Sequence, residues 1–287
     1  MENKKIGFIG QGWIGKNYSD DFEKRGYKII RYSLEEPYVK NKEKIKKCEI
    51  VFIAVPTPST PDGFDNSILV NAIKEVGVGA TVVIKSTIFP GTTVLLQEKF
   101  KDLYIVHSPE FLVEVSAEHD AANPKRNIIG IPEENDEFIR RANEVLEVLP
   151  KAPYEKICRA SEAELVKYGG NNFLFLKVIF ANMFYDLVDK LGCDWSVIKE
   201  AMIADPRIGD SHLDPIHKNG RGAGGHCFIK DFAALIEMYE KYVGDEQGMI
   251  FLRGLRDKNI DLLLKSNKDL DLLKGVYGKD IINKKNK

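Results

Sequence analysis

Cys227 is the residue whose surroundings best suit covalent chemistry. It follows Gly222-Ala223-Gly224-Gly225-His226 and opens the helix-compatible stretch Phe228-Ile229-Lys230-Asp231. A thiol at a helix N-terminus beside a cation ionises readily, and the thiolate is the nucleophilic form. Glycines just ahead of it let a ligand approach the backbone. Cys48, Cys158 and Cys193 lie in apolar or helical contexts and read as inert, and no CxxC or Cys/His spacing predicts a disulfide framework or a metal site. His107, His119, His212 and His217 show no triad or ligand spacing, and His226 reads as a loop residue.

A second constellation is polar. Lys167 and Asn171 are four residues apart and share one face of a predicted helix. A lone surface lysine is ordinarily just solvated, but Asn171 on the same face argues for more. Three apolar strands in succession end in polar loops: Val55-Pro56-Thr57-Pro58, then Lys85-Ser86-Thr87, then Ser108-Pro109-Glu110-Phe111 with Glu114. In an open parallel sheet those ends face the ligand crevice.

The third pattern is Gly10-Gln11-Gly12-Trp13-Ile14-Gly15, between a strand and a helix. Its glycines allow a tight turn and bring backbone N–H groups to a pyrophosphate, which makes it a dinucleotide fingerprint. The acidic residue that takes the ribose hydroxyls is replaced by Ser33, with Arg31 before it and Glu35 after it. Without that charge both NAD and NADP stay open.

These residues need elements to hold them. Six segments read as buried strands: Lys5 to Ile9, Tyr27 to Tyr32, Ile50 to Val55, Ala80 to Lys85, Tyr104 to His107 and Asn127 to Ile131. After Pro150 and Pro153 the spacing becomes helical, with one long amphipathic helix from Ser161 to about Leu191 that Gly169 and Gly170 weaken. A shorter helix, a Gly/Asp/Pro/His loop and two further helices follow, and Ile282 to Lys287 is expected to fray. The expected fold is α/β: a Rossmann-like doubly wound parallel sheet over residues 1–153, then an all-helical domain over 154–287 serving dimerisation and catalysis. The length of 287 residues agrees with two domains at roughly 100–200 residues each.

Composition narrows the function classes. Forty-two Lys+Arg against 43 Asp+Glu give a net charge of -1, which argues against a nucleic-acid or anionic-membrane surface. The longest apolar runs are too short to span a bilayer and the N-terminus has no signal-peptide core, so a cytoplasmic protein is expected.

Taken in order, GxGxxG, VPTP, KST, SPEF, the Glu162-to-Asn171 pattern E-x-E-L-x-K-x-x-x-N, Arg207-Ile208-Gly209 and GGxCF-x-KD resemble the nucleotide-sugar dehydrogenases, which oxidise UDP-glucose or GDP-mannose to uronates. The resemblance runs from Ile6 to about Asp257. It implies NAD as cofactor, a nucleotide-sugar substrate, a role in polysaccharide biosynthesis and a homodimer built on the long helix near 161–191. It makes Cys227 the nucleophile, with Lys167 and Asn171 supporting the oxygen of the reacting carbon. Thr87 falls on the water-associated threonine, Glu110 on the acid of the hydrolysis step, Asp231 on the acid paired with the nucleophile, and Glu114 on another active-site acid. Gly10, Gly12, Trp13, Ile14, Gly15, Arg31, Ser33, Pro56, Thr57 and Thr87 fall on the cofactor side. On the substrate side fall Arg207, reaching the sugar across the dimer, Lys218, binding phosphate, and Gly224.

The implied reaction is a four-electron oxidation of a C6 alcohol through a Cys227 thiohemiacetal and thioester, with one NAD(P) used at each oxidation. Two departures stand out. Only 16 residues separate Ser33 from the strand at Ile50, which trims the adenosine side of the cleft, and no third dinucleotide-like set of strands and helices is expected after Asp257. The alternatives are a two-electron β-hydroxyacid dehydrogenase, against which the cysteine segment weighs, and a noncatalytic cofactor- or sugar-binding protein.

Overall fold

The computed structural model describes residues 4–60 and 63–286. The chain packs into two compact units: Met1–Pro58 with Asp65–Lys167, and Ser59–Phe64 with Tyr168–Lys287.

The first unit opens with β1 (Ile6–Ile9), α1 (Trp13–Lys24), β2 (Ile29–Tyr32), the single turn α2 (Lys42–Ile45) and β3 (Ile50–Ile53). The two-residue strands β4 (Ser59–Thr60) and β5 (Gly63–Phe64) belong to the second unit. The first resumes with α3 (Ser67–Ile73), β6 (Thr81–Ile84), α4 (Thr92–Lys99), β7 (Tyr104–His107), α5 (Ala117–Ala122), β8 (Arg126–Ile131), α6 (Asp136–Val148) and β9 (Tyr154–Arg159). Its seven-stranded sheet runs β2-β1-β3-β6-β7-β8-β9, parallel throughout except for β7 against β8 at His107↔Gly130. The apolar runs of β1, β3 and β6 are buried along their whole length, as strands covered on both faces must be. Phe8 stacks on Phe52 at 4.9 Å, and Phe22 of α1 meets Phe8 edge-on at 5.1 Å, fixing α1 on the sheet.

Two features depart from the expected layout. Beyond the six expected strands lies β9, paired in parallel with β8 from Arg126↔Tyr154 to Ile131↔Arg159. As an edge strand its residues are exposed or half-buried, so it lacks the apolar run that marks the others. The first unit accordingly continues past residue 153 to Lys167, inside the long helix, rather than ending at Pro153. At the opposite edge, the short stretch after β2 forms a 3-10 turn and α2, and Asn41 Nδ2 donates to the Arg31 carbonyl at 2.9 Å. Tyr32 O bonds inward to Gly10 N, so the Arg31 carbonyl belongs to the open side of β2.

The second unit is helical apart from two ribbons. It takes most of α7 (Ala160–Lys190), then α8 (Trp195–Ile203), the ribbon β10 (Ile216–His217) with β11 (Gly220–Arg221), α9 (Gly225–Tyr242), α10 (Glu246–Ser266) and α11 (Leu270–Tyr277). The β10–β11 loop is Lys218-Asn219, both at positive φ, the two-residue turn that matches strand twist. Phe175 of α7 stacks on Phe232 of α9 at 3.9 Å in one core, and Ile229, Ile260, Leu263, Leu264, Leu273 and Ile281 form another that seats α11 on α9 and α10. Lys279–Asn286 forms 3-10 turns where fraying is expected, and Lys287 lies outside the described residues.

Candidate active site

The glycine turn is built as steric demand dictates. Gly10 has φ +88°, and a Cβ there would sit 2.2 Å from Ala54 O, while one on Gly15 would sit 1.9 Å from Gly10 O. A Cβ on Gly12 meets nothing within 4 Å. Gly12 is also the N-cap of α1, whose first turn carries neither a side-chain cap nor an acid. Open space in front of unsatisfied N–H groups fits a pyrophosphate. Ile14 packs on the core, and Trp13 faces a 610 Å³ cleft that Glu114, Asn17 and Asp21 also line.

Just past the end of β2, Ser33 Oγ donates to Glu35 O at 2.9 Å. Arg31 is turned back onto α1, where its guanidinium meets Asp20 at 2.7 Å and Glu23 at 2.6 Å and is almost fully buried.

The loops after β3 and β6 are tied together. Ser86 Oγ donates to Val55 O at 2.7 Å and accepts from Val55 N at 3.0 Å, and Thr57 Oγ1 donates to Thr87 O at 2.7 Å. Pro56 is exposed, whereas Thr57 is buried and Thr87 half-buried.

After β7 lies a buried, charged cluster. Lys167 Nζ, from the first turns of α7, donates to both the carboxylate and the backbone carbonyl of Glu110 at 2.8 Å each, and Glu110 Oε2 accepts from Leu112 N at 2.8 Å. Lys85 Nζ donates to Ser108 Oγ at 3.1 Å and lies 4.4 Å from the Tyr18 ring centre. Burial lowers the Lys85 amine to about 7. Next to it His107 is completely buried with neither ring nitrogen hydrogen-bonded, and burial together with the Lys85 charge pushes it down to about 3.

In the second unit, Cys227 occupies the exposed first turn of α9. Asp231, four residues on and therefore on the same face, is buried; it accepts from Asn171 Nδ2 at 2.6 Å and from Lys230 Nζ at 2.5 Å. Lys230 thus bonds to Asp231 in addition to carrying charge near the thiol. Arg207 is exposed and forms a fork with Asp205, Nη2 to Oδ2 at 2.6 Å, and Lys218 is exposed in the β10–β11 turn.

Other residues take roles that the sequence does not assign. Glu164 of α7 accepts from Gly91 N, Thr93 N and Thr93 Oγ1 at 2.6–2.9 Å, and so caps α4 from a distance; burial raises its carboxyl above the usual range. It is the second acid of the E-x-E-L-x-K pattern, two places after Glu162. The glycines before Cys227 are also busier than ligand approach requires. Gly222 and Gly224 pack against Asn259 and Asp269, and only Gly225 among these three is open. Among the described residues no three of His, Cys, Asp and Glu converge on a metal site, and no helix is long and apolar enough to cross a membrane.

Comparison with known proteins places this arrangement. The chain is 30% identical over 276 residues to a UDP-glucose 6-dehydrogenase of Rickettsia bellii, covering 93% of this chain and 58% of that protein. It is 36% identical over 214 residues to one of Rhizobium meliloti, covering 68% and 47%. The chain therefore spans about half the length of these curated relatives. The structure of a UDP-glucose dehydrogenase from Pyrobaculum islandicum superposes with a TM-score of 0.78 at 28% identity over 95% of this chain and 71% of that one. A Mycobacterium tuberculosis 3-hydroxyisobutyrate dehydrogenase, 15% identical with a TM-score of 0.70, covers 96% of this chain and 98% of its own and shares the fold. Residues 38–149 match the NAD binding domain, and residues 161–259 the central domain, of one family: the chain belongs to the UDP-glucose/GDP-mannose dehydrogenases.

Proposed function

We propose that this chain is an NAD-dependent dehydrogenase that oxidises the primary alcohol of a nucleotide sugar to a carboxylate in two steps. The observation that carries the reading is Asp231, buried one helical turn beyond the exposed Cys227 and held by Asn171 of the long helix. A thiol, an acid and an amide donor on adjoining helix faces suit a covalent intermediate with a polarised oxygen.

Gly12 and the N-terminus of α1 hold the cofactor pyrophosphate. When bound, the nicotinamide accepts hydride, one equivalent for each two-electron oxidation. The residues of the chain do the rest. Asp231 takes the alcohol proton through a water as the aldehyde forms, and Thr87 serves the cofactor side. The Cys227 thiolate adds to the aldehyde carbon, and the oxygen gains a proton to give a thiohemiacetal. Oxidation of that adduct leaves a thioester, with Lys167 and Asn171 stabilising the oxyanions on either side of it. Glu110 has both oxygens engaged, but a carboxylate has about four acceptor sites, so it also orients the water that cleaves the thioester and frees the thiol. Arg207, Lys218 and Gly224 serve the sugar and its phosphates, and Trp13, Pro56 and Glu114 line the reacting end of the cofactor.

The exposed apolar face of α7, with Phe173, Phe180, Met183 and Leu187 and with Leu191 just past its end, serves as a homodimer contact. A cytoplasmic location is part of the same proposal. Two tests apply. Incubation with NAD+ and UDP-glucose, GDP-mannose or their N-acetyl relatives is expected to release two NADH per sugar, and Cys227→Ser to release none of the second. One NADH per substrate in the wild type would point to the two-electron alternative; none with any sugar overturns the reading. Light scattering measures the dimer directly.

A further inference from the structure

We propose that Asp269 is a positioning residue for Cys227: from beyond residues 161–259, it holds the first turn of α9 and governs how readily the thiol there ionises. This rests on the reading of Cys227 as the nucleophile.

The segment leading into α9 is clamped from one side. Arg221 N donates to Ser266 Oγ at 2.9 Å, Ala223 exchanges two hydrogen bonds with the buried Asn259 side chain at 2.7 and 3.0 Å, and Lys268 Nζ donates to Gly222 O at 2.9 Å. Asp269 completes the set: its Oδ2 accepts from Gly225 N at 2.7 Å. The fit leaves no slack, because a Cβ on Gly224 would lie 2.0 Å from that same oxygen, and one on Gly220 2.8 Å from Lys268 Cδ. Asn267 and Asp269 both adopt left-handed backbone, at φ 54° and 52°. Non-glycine residues hold that conformation at a cost and chiefly where surrounding contacts fix it.

The consequence for the thiol is electrostatic. Gly224 caps α9 without a side-chain bond, so the N–H groups of Gly225, His226 and Cys227 are the positive end of the helix. Asp269 satisfies the first of them and sets a negative charge there. The other titratable groups around this helix end are His226, Lys230 and Asp231 on α9 and His212, whose ring lies 5.7 Å from that of Phe228; Lys218 and Lys268 are also there. Lys230 and Asp231 bond to each other, whereas the Asp269 carboxylate bonds to the turn itself through Gly225 N. Its negative charge opposes ionisation of the thiol, and a thiolate formed against that charge is the stronger nucleophile.

The test is the rate of Cys227 alkylation by iodoacetamide as a function of pH, read by peptide mass spectrometry, with the exposed Cys193 as internal standard. Asp269→Asn keeps the acceptor and suits the left-handed backbone while removing the charge, and Asp269→Gly removes both at no backbone cost. Both variants are expected to move the profile to lower pH, with Cys227 labelled about three- to tenfold faster near pH 7 and Cys193 unchanged. Profiles that stay where the wild type has them overturn the inference. Cys227→Ser still releasing two NADH per sugar would instead remove the nucleophile reading, and the shift between variants still decides the role of Asp269.

Discussion

Lys167 Nζ is bonded twice to Glu110, at 2.8 Å to its carboxylate and 2.8 Å to its carbonyl, with both side chains almost wholly buried. The pair joins the start of α7 to the loop after β7. Removing one partner strands the other charge in a buried site. Lys167→Met is therefore expected to destabilise the protein by about 3–5 kcal/mol, and the double variant Lys167→Met, Glu110→Gln by distinctly less. Urea denaturation of the three proteins checks this, and equal losses in single and double variants would refute the coupling.

The two outer glycines of the dinucleotide turn and the middle one do different jobs. Gly15→Ala drives a methyl to within 1.9 Å of Gly10 O and is expected to cost about 1–3 kcal/mol of stability. Gly12→Ala meets no protein atom, so its stability should stay within about 0.5 kcal/mol of wild type while NAD+ affinity falls at least about tenfold. Thermal melts and calorimetric titration separate the two effects.

Arg31 is answered by Asp20 and Glu23, one guanidinium against two carboxylates. The excess negative charge opposes a 2′-phosphate at the end of β2, so NAD+ is expected to bind at least about tenfold more tightly than NADP+. Asp20→Asn combined with Glu23→Gln frees the arginine and should narrow that gap. If NADP+ binding by calorimetry does not improve, Arg31 does not face the ribose.

His107 makes stability depend on acid. Its folded value of about 3 lies below the ordinary 6.5 of an unfolded histidine, so between those values the unfolded chain binds the extra proton. Stability contributed by the neutral ring is complete above about pH 6.5 and falls as pH drops, by about 1.4 kcal/mol per unit, until the folded ring protonates near 3. His107→Leu should flatten the wild-type curve over that window, measured as the difference in unfolding free energy at successive pH values. Parallel curves would show the ring to be titrating normally.

What could be read in advance followed from local pattern. The runs Ile6–Ile9, Ile50–Ile53 and Thr81–Ile84 announce buried strands because every residue is covered, and α7 declares itself over nine turns of spacing. Cys227, Lys167 and Asn171 stood out by type and neighbours. β9 did not, since an edge strand has no apolar run to show. Nor were the pairings that hold the site legible: Asp231 lies 60 residues from Asn171, Asn259 lies 36 from Ala223, and Asp269 lies 44 from Gly225. Such pairings are made by packing of distant helices, which no local spacing encodes. Glycines are ambiguous for the same reason: Gly12 and Gly224 look alike in sequence, yet one borders open space and the other a carboxylate.

The amide of Asn41 has a consequence for how the protein behaves at high concentration. By occupying the outward carbonyl of Arg31 it removes an acceptor from a strand that would otherwise invite a neighbour to extend the sheet. The far edge, β9, is guarded differently, by Glu155, Lys156 and Arg159 along a six-residue strand. The shortened stretch after β2 therefore protects against aggregation as well as closing the fold, and Asn41→Ala is expected to raise turbidity on concentration before it lowers the melting temperature.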